Sequence, residues 1–334
     1  MARRPPMLRT WSEAGALLVF QGLLRLFPLS LVHVPGAALG WVLFHVFRVG
    51  RGATLRNLTF AFGDRLSPAR RRRLAGAVYR FFGGMICEVL AIPRLSLADL
   101  QQRVTLDNPD VLRDAQAGGR GVVLVSGHLG NWELMGAVLS RSGMGLSMYV
   151  GAQRNPFVDN VLNRIRRSQG TETIGRGVAM RGLLRALRGG GIVAMLADQH
   201  YSRKRHYVTC FGRPVSMVPG PASLAQRAGA PVIFGICVRT ARFRYRVRFT
   251  PIAPPPPSGD AERDLLALSQ AISDALEQAM REHPEQYFWM HRRWRPIPQR
   301  VELSEVNRAF LEAQGIDVAA HTAEGGRALQ PSQQ

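Results

Sequence analysis

The chain has 334 residues, 46% of them hydrophobic, a content that excludes a disordered protein and allows a sizeable core. Its net charge of +21 comes almost entirely from arginine, because Lys204 is the only lysine. The three cysteines, Cys87, Cys210 and Cys237, lie far apart without a CxxC pattern, which argues against a disulfide framework or a zinc site and favours a reducing compartment.

The first elements of the chain are two apolar segments. Ala14–Val32 is long enough to span a membrane, but Arg25 and Pro28 oppose insertion, so hydropathy leaves a stable span undecided. The second segment, Val34–Gly50, is short for a span. No cleavage site of small residues follows either segment, so we do not expect a removable signal peptide.

Positive charge surrounds these segments. Residues 1–104 carry fifteen arginines and four acidic residues, and a basic residue near an anionic leaflet favours binding by about 1 kcal/mol. We therefore interpret residues 1–50 as a membrane-associated helical segment, inserted in or lying on a leaflet. A re-entrant or interfacial hairpin fits better than a single span, which would carry Arg3, Arg4 and Arg9 across the membrane. A pair of core helices with solvated arginine faces is the alternative.

A main domain follows over residues 51–300. Four near-continuous apolar runs are typical of strands buried on both faces, and they lie at 121–127, 146–152, 192–198 and 230–238. Tyr245–Ile252 is predicted to be a further strand, and helical stretches separate the runs. This alternation predicts an α/β fold with a largely parallel central sheet flanked by helices. Residues 301–334 lose the apolar rhythm and are predicted to form a disordered tail.

Two candidate residues follow predicted strands, at the sheet edge where ligands bind in open α/β folds. His128 lies in the segment GHLGNWE, where glycines predict a tight turn and Asn131 caps a helix that carries Glu133. We expect Glu133 to accept one ring N–H of His128 and leave the other nitrogen as a general base. A structural histidine is the alternative, because H-x4-E alone is common. Asp198 is the second candidate, with a helix cap as its alternative.

Four motifs, GHLGNWE, QRNPFVDNVLNRIRRSQG, ADQ and HPEQYFWMHRRWR, occur in an order and at spacings that resemble the late acyltransferases of lipid A biosynthesis. These belong to the wider lysophospholipid acyltransferase group, and the resemblance covers roughly residues 10–300. It implies transfer of a fatty acyl chain from acyl carrier protein to a hydroxyl of a lipid acceptor. It also implies a place on the cytoplasmic side of the bacterial inner membrane, with His128 and Glu133 as the dyad that deprotonates the hydroxyl.

The resemblance further implies residues that contact the substrates. These are Arg154, Arg166, Asp198, Glu285, His291 and Arg292, while Asn131 or backbone N–H groups of the turn are expected to stabilise the oxyanion. The chain departs from several members at His200, where they have aspartate, and this leaves the acceptor open.

The partners expected from this resemblance are acyl carrier protein, a phosphorylated lipid acceptor and an anionic membrane surface, with no metal or other cofactor. A lysophospholipid or another lysolipid is the alternative acceptor. A nucleic-acid-binding protein and a non-catalytic membrane scaffold are the alternatives from other classes. No zinc-finger, RNP or basic-zipper signature supports the former, and the latter would not require His128.

Overall fold

The computed structural model describes residues 7–151, 153, 155–175, 179–199, 206–254, 256–298 and 301–322. Within them lies a seven-stranded central sheet, and a two-stranded hairpin stands apart from it. The strands are β1 (Val104–Leu106), β2 (Val122–Ser126), β3 (Leu146–Val150), β4 (Glu172–Gly175), β5 (Ile192–Leu196), β6 (Tyr207–Cys210), β7 (Arg213–Ser216), β8 (Val232–Ala241) and β9 (Arg244–Ile252).

The sheet is largely parallel, as predicted. Its order is β1-β9-β8-β2-β5-β3-β4, and every neighbouring pair is parallel except β8 and β9. The central strand β2 reads VVLVS with all five residues buried, which explains its continuous apolar run. All five predicted strands are present. The short β1 and β4 and the β6–β7 hairpin were not predicted, because their three or four residues carry too little apolar pattern.

Helices flank this sheet. They are α1 (Met7–Leu24), α2 (His33–His45), α3 (Arg51–Phe62), α4 (Pro68–Ala91), α5 (Leu97–Arg103), α6 (Pro109–Ala117), α7 (Trp132–Arg141), α8 (Pro156–Ser168), α9 (Ala179–Arg188), α10 (Gly220–Ala228), α11 (Ala261–Glu282) and α12 (Glu305–Ala313). The α4 helix begins with Pro68 in the first turn and with the Ser67 hydroxyl accepting from the Arg70 N–H, a common N-terminal cap.

Among the described residues, one helical segment, Pro68–Arg94, is long and apolar enough to cross a membrane, but 78% of its apolar window is buried in the protein. It therefore serves as a core helix, and α2 packs tightly against it. A methyl group added at Gly40 would lie 2.0 Å from the Tyr79 carbonyl oxygen, and one added at Gly36 would lie 2.1 Å from that of Gly83. Helix α2 of the predicted N-terminal segment therefore packs directly on a helix of the main domain.

The exposed large apolar side chains are concentrated elsewhere, on α1, α2 and the turns that follow each of them. This surface, here called the hairpin apolar surface, holds twelve of the fifteen such side chains among the described residues. They are Leu18, Val19, Leu23, Leu26, Phe27, Leu31, Val34, Leu39, Trp41, Val46, Phe47 and Val49.

The prediction of a disordered tail is wrong for residues 301–322. Helix α12 lies there, and Leu303, Leu311, Ile316 and Val318 form a small apolar cluster with Tyr207 and Ile297. The buried Asn307 side chain exchanges two hydrogen bonds with the backbone of Tyr207, which fixes α12 to strand β6. Val306, Phe310 and Leu311 do recur at helical spacing, but α12 has only nine residues, too short a run for this pattern to outweigh the polar composition around it. Residues 323–334 of the predicted tail lie outside the described residues.

Candidate active site

The segment between β2 and α7, residues 127–131, forms a tight turn that we call the His128 turn. Gly130 has a φ of +65°, and a Cβ there would lie 1.9 Å from the Cys237 carbonyl oxygen, so only glycine fits. The backbone N–H of Gly130 donates to the Gln286 carbonyl and that of Asn131 to the Cys237 carbonyl, each at 2.8 Å. The turn is therefore held between β8 and residues 284–295, here called the closing segment.

His128 is hydrogen bonded to Asp198 rather than to Glu133. Its ring Nδ1 lies 2.7 Å from Asp198 Oδ1, and its backbone N–H donates to Asp198 Oδ2 at 2.9 Å. Asp198 follows β5, which neighbours β2 in the parallel sheet, so the two strand ends bring these residues together. The expectation that Glu133 orients His128 is thus corrected, while the prediction that His128 and Asp198 follow strand ends at the same edge of the sheet is confirmed. Asp198 is not a simple helix cap.

Burial and charge shift the pKa values of His128 and Asp198 in opposite directions. Burial alone would lower the pKa of His128, but the charge of Asp198 and the hydrogen bond to it outweigh burial, and the pKa is raised. Burial would raise the pKa of Asp198, but the charge and hydrogen bond of His128, together with Arg293, hold it well below its usual range. Asp198 is therefore an anion at neutral pH, and His128 donates Nδ1–H to it in the tautomer that this contact favours.

The second ring nitrogen of His128 faces outward. Nε2 lies 3.2 Å from the carboxamide nitrogen of the exposed Gln199, and the His128 side chain is 19% exposed. The Trp132 ring packs edge-on against the imidazole at 4.9 Å. Both ring nitrogens thus have partners other than Glu133, and Nε2 is the one that a substrate hydroxyl can reach.

Glu133 pairs instead with Arg166 of α8. Oε1 lies 2.5 Å from Arg166 Nη2, and Oε2 lies 3.0 Å from Nε, so the contact is bidentate between two largely buried side chains. Arg166 also donates from Nη1 to Asn163 Oδ1 at 3.0 Å. Glu133 lies in the first turn of α7 and acts on His128 only through its charge, which raises the histidine pKa less than Asp198 does.

A small cavity of about 60 Å³ adjoins this ion pair, between the sheet and helices α7 and α8. Glu133 and Arg166 form one part of its wall, and the remainder is mainly apolar and rich in methionine, with Met135, Met148 and Met195. An apolar wall with a few polar groups is typical of ligand sites. Sequence reasoning did not place an apolar groove, because its lining comes from strands and helices far apart in the chain.

The other predicted site residues are in different places. Asn131 is fully buried, and its Oδ1 caps α7 by accepting the Leu134 N–H at 3.0 Å, so its side chain cannot reach a substrate oxyanion. Arg292 is exposed, and Glu285 and His291 are partly buried in the closing segment. Burial lowers the pKa of His291, while the charge of Asp198 opposes this. Arg154, like His200, lies outside the described residues.

The closing segment also holds residues that sequence reasoning missed. The Phe288 N–H donates to the His128 carbonyl at 2.9 Å, and Arg293 Nη1 donates to the Asp198 carbonyl oxygen. The buried Tyr287 lies in the same segment, and burial together with the charge of Asp198 raises its pKa. The signal available for Arg293 was its position in the closing motif HRRWR, next to the predicted Arg292.

Comparisons with known proteins show which family the chain resembles over most of its length. A family model described as bacterial lipid A biosynthesis acyltransferase matches residues 3–296. The lipid A biosynthesis lauroyltransferase of Escherichia coli K12 is 25% identical over 299 residues, which cover 87% of this chain and 93% of that protein. The E. coli palmitoleoyltransferase of lipid A biosynthesis is 25% identical over 292 residues, covering 86% and 92%. A phosphatidylinositol mannoside acyltransferase of Mycobacterium tuberculosis is 26% identical over 234 residues, covering 68% and 70%.

Proposed function

The chain belongs to the bacterial lipid A biosynthesis acyltransferase family, and from this premise we propose that it transfers a fatty acyl chain from an acyl carrier protein thioester to a hydroxyl of a lipid A precursor. The observation that carries the proposal is the His128–Asp198 pair, which leaves Nε2 on the partly exposed side of the ring with only the exposed Gln199 as a neighbour. Trp132, which packs on the imidazole, also lines the apolar cavity.

In the proposed reaction, neutral His128 removes the proton of the acceptor hydroxyl at Nε2 while Nδ1–H stays bonded to Asp198. The oxygen attacks the thioester carbonyl directly, and collapse of the tetrahedral intermediate breaks the C–S bond. The imidazolium then gives its proton to the departing thiolate. The Gln199 carboxamide, 3.2 Å from Nε2, is a suitable donor to the oxyanion that forms beside the base.

The cavity next to Arg166 suits the acyl chain of the donor. Its methionines are unbranched and flexible, so they can accommodate a chain without a fixed shape. The Glu133–Arg166 pair at its wall supplies a cation close to the site, where a phosphate or the carbonyl of the donor can approach. Acyl carrier proteins are acidic and lipid A precursors carry phosphates, so both substrates complement a chain with a net charge of +21.

The hairpin apolar surface supports membrane association, with the enzyme on the cytoplasmic side of the inner membrane. Isolated apolar side chains are normal on soluble proteins, but a contiguous group marks a contact with another apolar phase. Arg25, Arg48 and Arg51 lie on or beside this surface, which suits anionic lipid headgroups. We propose that the helical hairpin of α1 and α2 lies in the membrane interface rather than crossing the bilayer.

The test of the function is transfer of a radiolabelled acyl group from acyl carrier protein to a phosphorylated lipid A precursor in detergent. We expect the wild type to transfer and the His128→Ala variant to transfer at least about a hundredfold more slowly, the usual contribution of a general base. Equal rates in both proteins would remove His128 from the mechanism.

Lysolipids form the second acceptor class, and a specific observation favours testing them. The phosphatidylinositol mannoside acyltransferase matches at 26% identity, against 25% for the lipid A lauroyltransferase, although over a shorter part of the chain. Lysophosphatidic acid and a deacylated mannosyl phosphoinositide are therefore assayed in parallel. Transfer to one of these, with none to the lipid A precursor, would retain the chemistry and replace the acceptor.

A further inference from the structure

Arg293 is a cation buried beneath the His128–Asp198 pair. Its side chain is only 1% exposed, a rare condition for arginine unless it is paired with an anion. Nη1 donates to the Asp198 carbonyl oxygen, whereas Nε and Nη2 have no hydrogen-bond partner among the described residues. Within the same residues no carboxylate oxygen lies at ion-pair distance from this guanidinium, so its charge has to be balanced at longer range.

Asp198 is the anion that balances the charge of Arg293, because the other groups around the guanidinium are neutral or paired elsewhere. Burial raises the pKa of the Cys210 thiol to about 11 and that of Tyr287 well above its usual value, so both are neutral near pH 7. The other titratable groups of the packed elements are His291 of the closing segment, Glu277 of α11 and Glu133 of α7. Glu133 is paired with Arg166. Glu277 accepts the Phe211 N–H and pairs with Arg281.

A buried carboxylate needs a neighbouring cation to remain ionised. If Arg293 were absent, that cation would be His128, which would hold its proton and could not act as a base. With Arg293 present, Asp198 is compensated while His128 is neutral. The hydrogen bond from Nη1 to the Asp198 backbone also fixes the loop that carries the carboxylate.

We propose that Arg293 is a positioning residue that holds Asp198 in place and allows His128 to be neutral at the pH of the cytoplasm. It acts through Asp198 and touches no substrate. This inference rests on the proposed role of His128 as general base, but it makes a statement about the proton on His128 that holds whichever lipid is acylated.

The test therefore measures the proton on His128 without any substrate. Diethyl pyrocarbonate modifies neutral imidazole, so the pH dependence of modification at His128, followed by peptide mass spectrometry, gives the pKa of this residue. We expect Arg293→Met to raise the midpoint by up to roughly one pH unit, because a buried positive charge that opposes protonation of His128 is removed. Arg293→Lys retains the charge and should keep the midpoint near that of the wild type. Arg295→Met is the matched control, because Arg295 is exposed on the same segment.

Thermal unfolding identifies the variants that are folded. A folded Arg293→Met protein whose His128 midpoint equals that of the wild type would overturn the inference.

If the methionine variant does not fold, the Arg293→Lys variant decides, because lysine keeps the charge but lacks the planar donor fork of arginine. It should then keep the midpoint and lose at least about tenfold in acyl transfer, and a fully active lysine variant would contradict a positioning role. If the acyl-transfer proposal is wrong, the wild type will transfer no acyl group. The midpoints for modification of His128 do not depend on that result, so they still test the role of Arg293.

Discussion

At the scale of single residues, the chemistry depends on which nitrogen of His128 is available. Asp198 accepts from Nδ1 and from the backbone N–H of the same residue, so the carboxylate fixes both the ring and the turn. The remaining nitrogen has one exposed neighbour, Gln199, which a substrate can displace. This arrangement, one nitrogen fixed by a buried carboxylate and the other with a displaceable partner, is what the proposed general base requires.

The direction of the pH dependence follows from the same contacts. His128 acts as a base only when neutral, and its pKa lies above the ordinary value of 6.5. We therefore expect kcat/KM to be low at acidic pH and to rise as the pH passes upward through that raised pKa. If the group remained at its ordinary pKa, the same rise would occur at lower pH.

At the scale of secondary structure elements, α4 links the N-terminal hairpin to the active-site side of the sheet. Its Glu88 is fully buried and accepts from Arg239 of β8 at 2.8 Å and from the Tyr245 hydroxyl of β9. On another face, Gly83 of α4 meets the backbone of Gly36 on α2. The helix is consequently fixed on two sides, by a buried charge network and by close backbone packing.

This packing predicts the effect of adding one methyl group. In Gly40→Ala the new Cβ would overlap the Tyr79 carbonyl, so we expect the free energy of unfolding to fall by about 1–3 kcal/mol, the usual cost of overpacking. The control is Gly22→Ala on α1, where no atom lies within 4 Å of the added methyl. There the higher helix propensity of alanine should be neutral or stabilising. Urea denaturation in detergent measures both, and equal midpoints for the two variants would refute close α2–α4 packing.

The elements also show what could be predicted from the sequence. Runs such as VVLVS identified the buried strands, because a strand covered on both faces has few polar residues. The partner of His128 could not be identified from spacing, since Asp198 is 70 residues away and is brought close by strand pairing. Glu133 is near in sequence, but it lies in the first turn of α7 and pairs with Arg166 of α8.

At the scale of the whole molecule, charge and apolar surface are distributed in a way that suits a membrane interface. About half of the net charge lies in the first third of the chain, which also holds the hairpin apolar surface. Helix α4 is apolar enough to span a bilayer but is mostly buried in the protein. The exposed hairpin, and not the most apolar helix, is therefore the element that we expect to contact lipid.

This expectation is tested with vesicles of phosphatidylethanolamine and phosphatidylglycerol. The variant Leu26→Ser with Phe47→Ser removes two exposed apolar side chains of the hairpin, 79% and 67% exposed. Since burying each such side chain contributes roughly 1.5–3 kcal/mol, sedimentation should show binding weakened at least about tenfold. Met180→Ser, an exposed position on α9, is the control and should bind as the wild type does. Unchanged binding of the double variant would exclude the hairpin as the contact.

The central claim is that Asp198, and not Glu133, orients the His128 ring and is the main cause of its raised pKa. The most direct measurement is the pH dependence of kcat/KM for the wild type, Asp198→Asn and Glu133→Gln with one acyl donor and one acceptor. We predict that Asp198→Asn lowers the plateau by about 10²–10⁴-fold and moves the midpoint to lower pH, because burial then acts on His128 without its main anionic partner. Glu133→Gln should move the midpoint less. A midpoint that shifts as far in Glu133→Gln as in Asp198→Asn, or further, would contradict the claim.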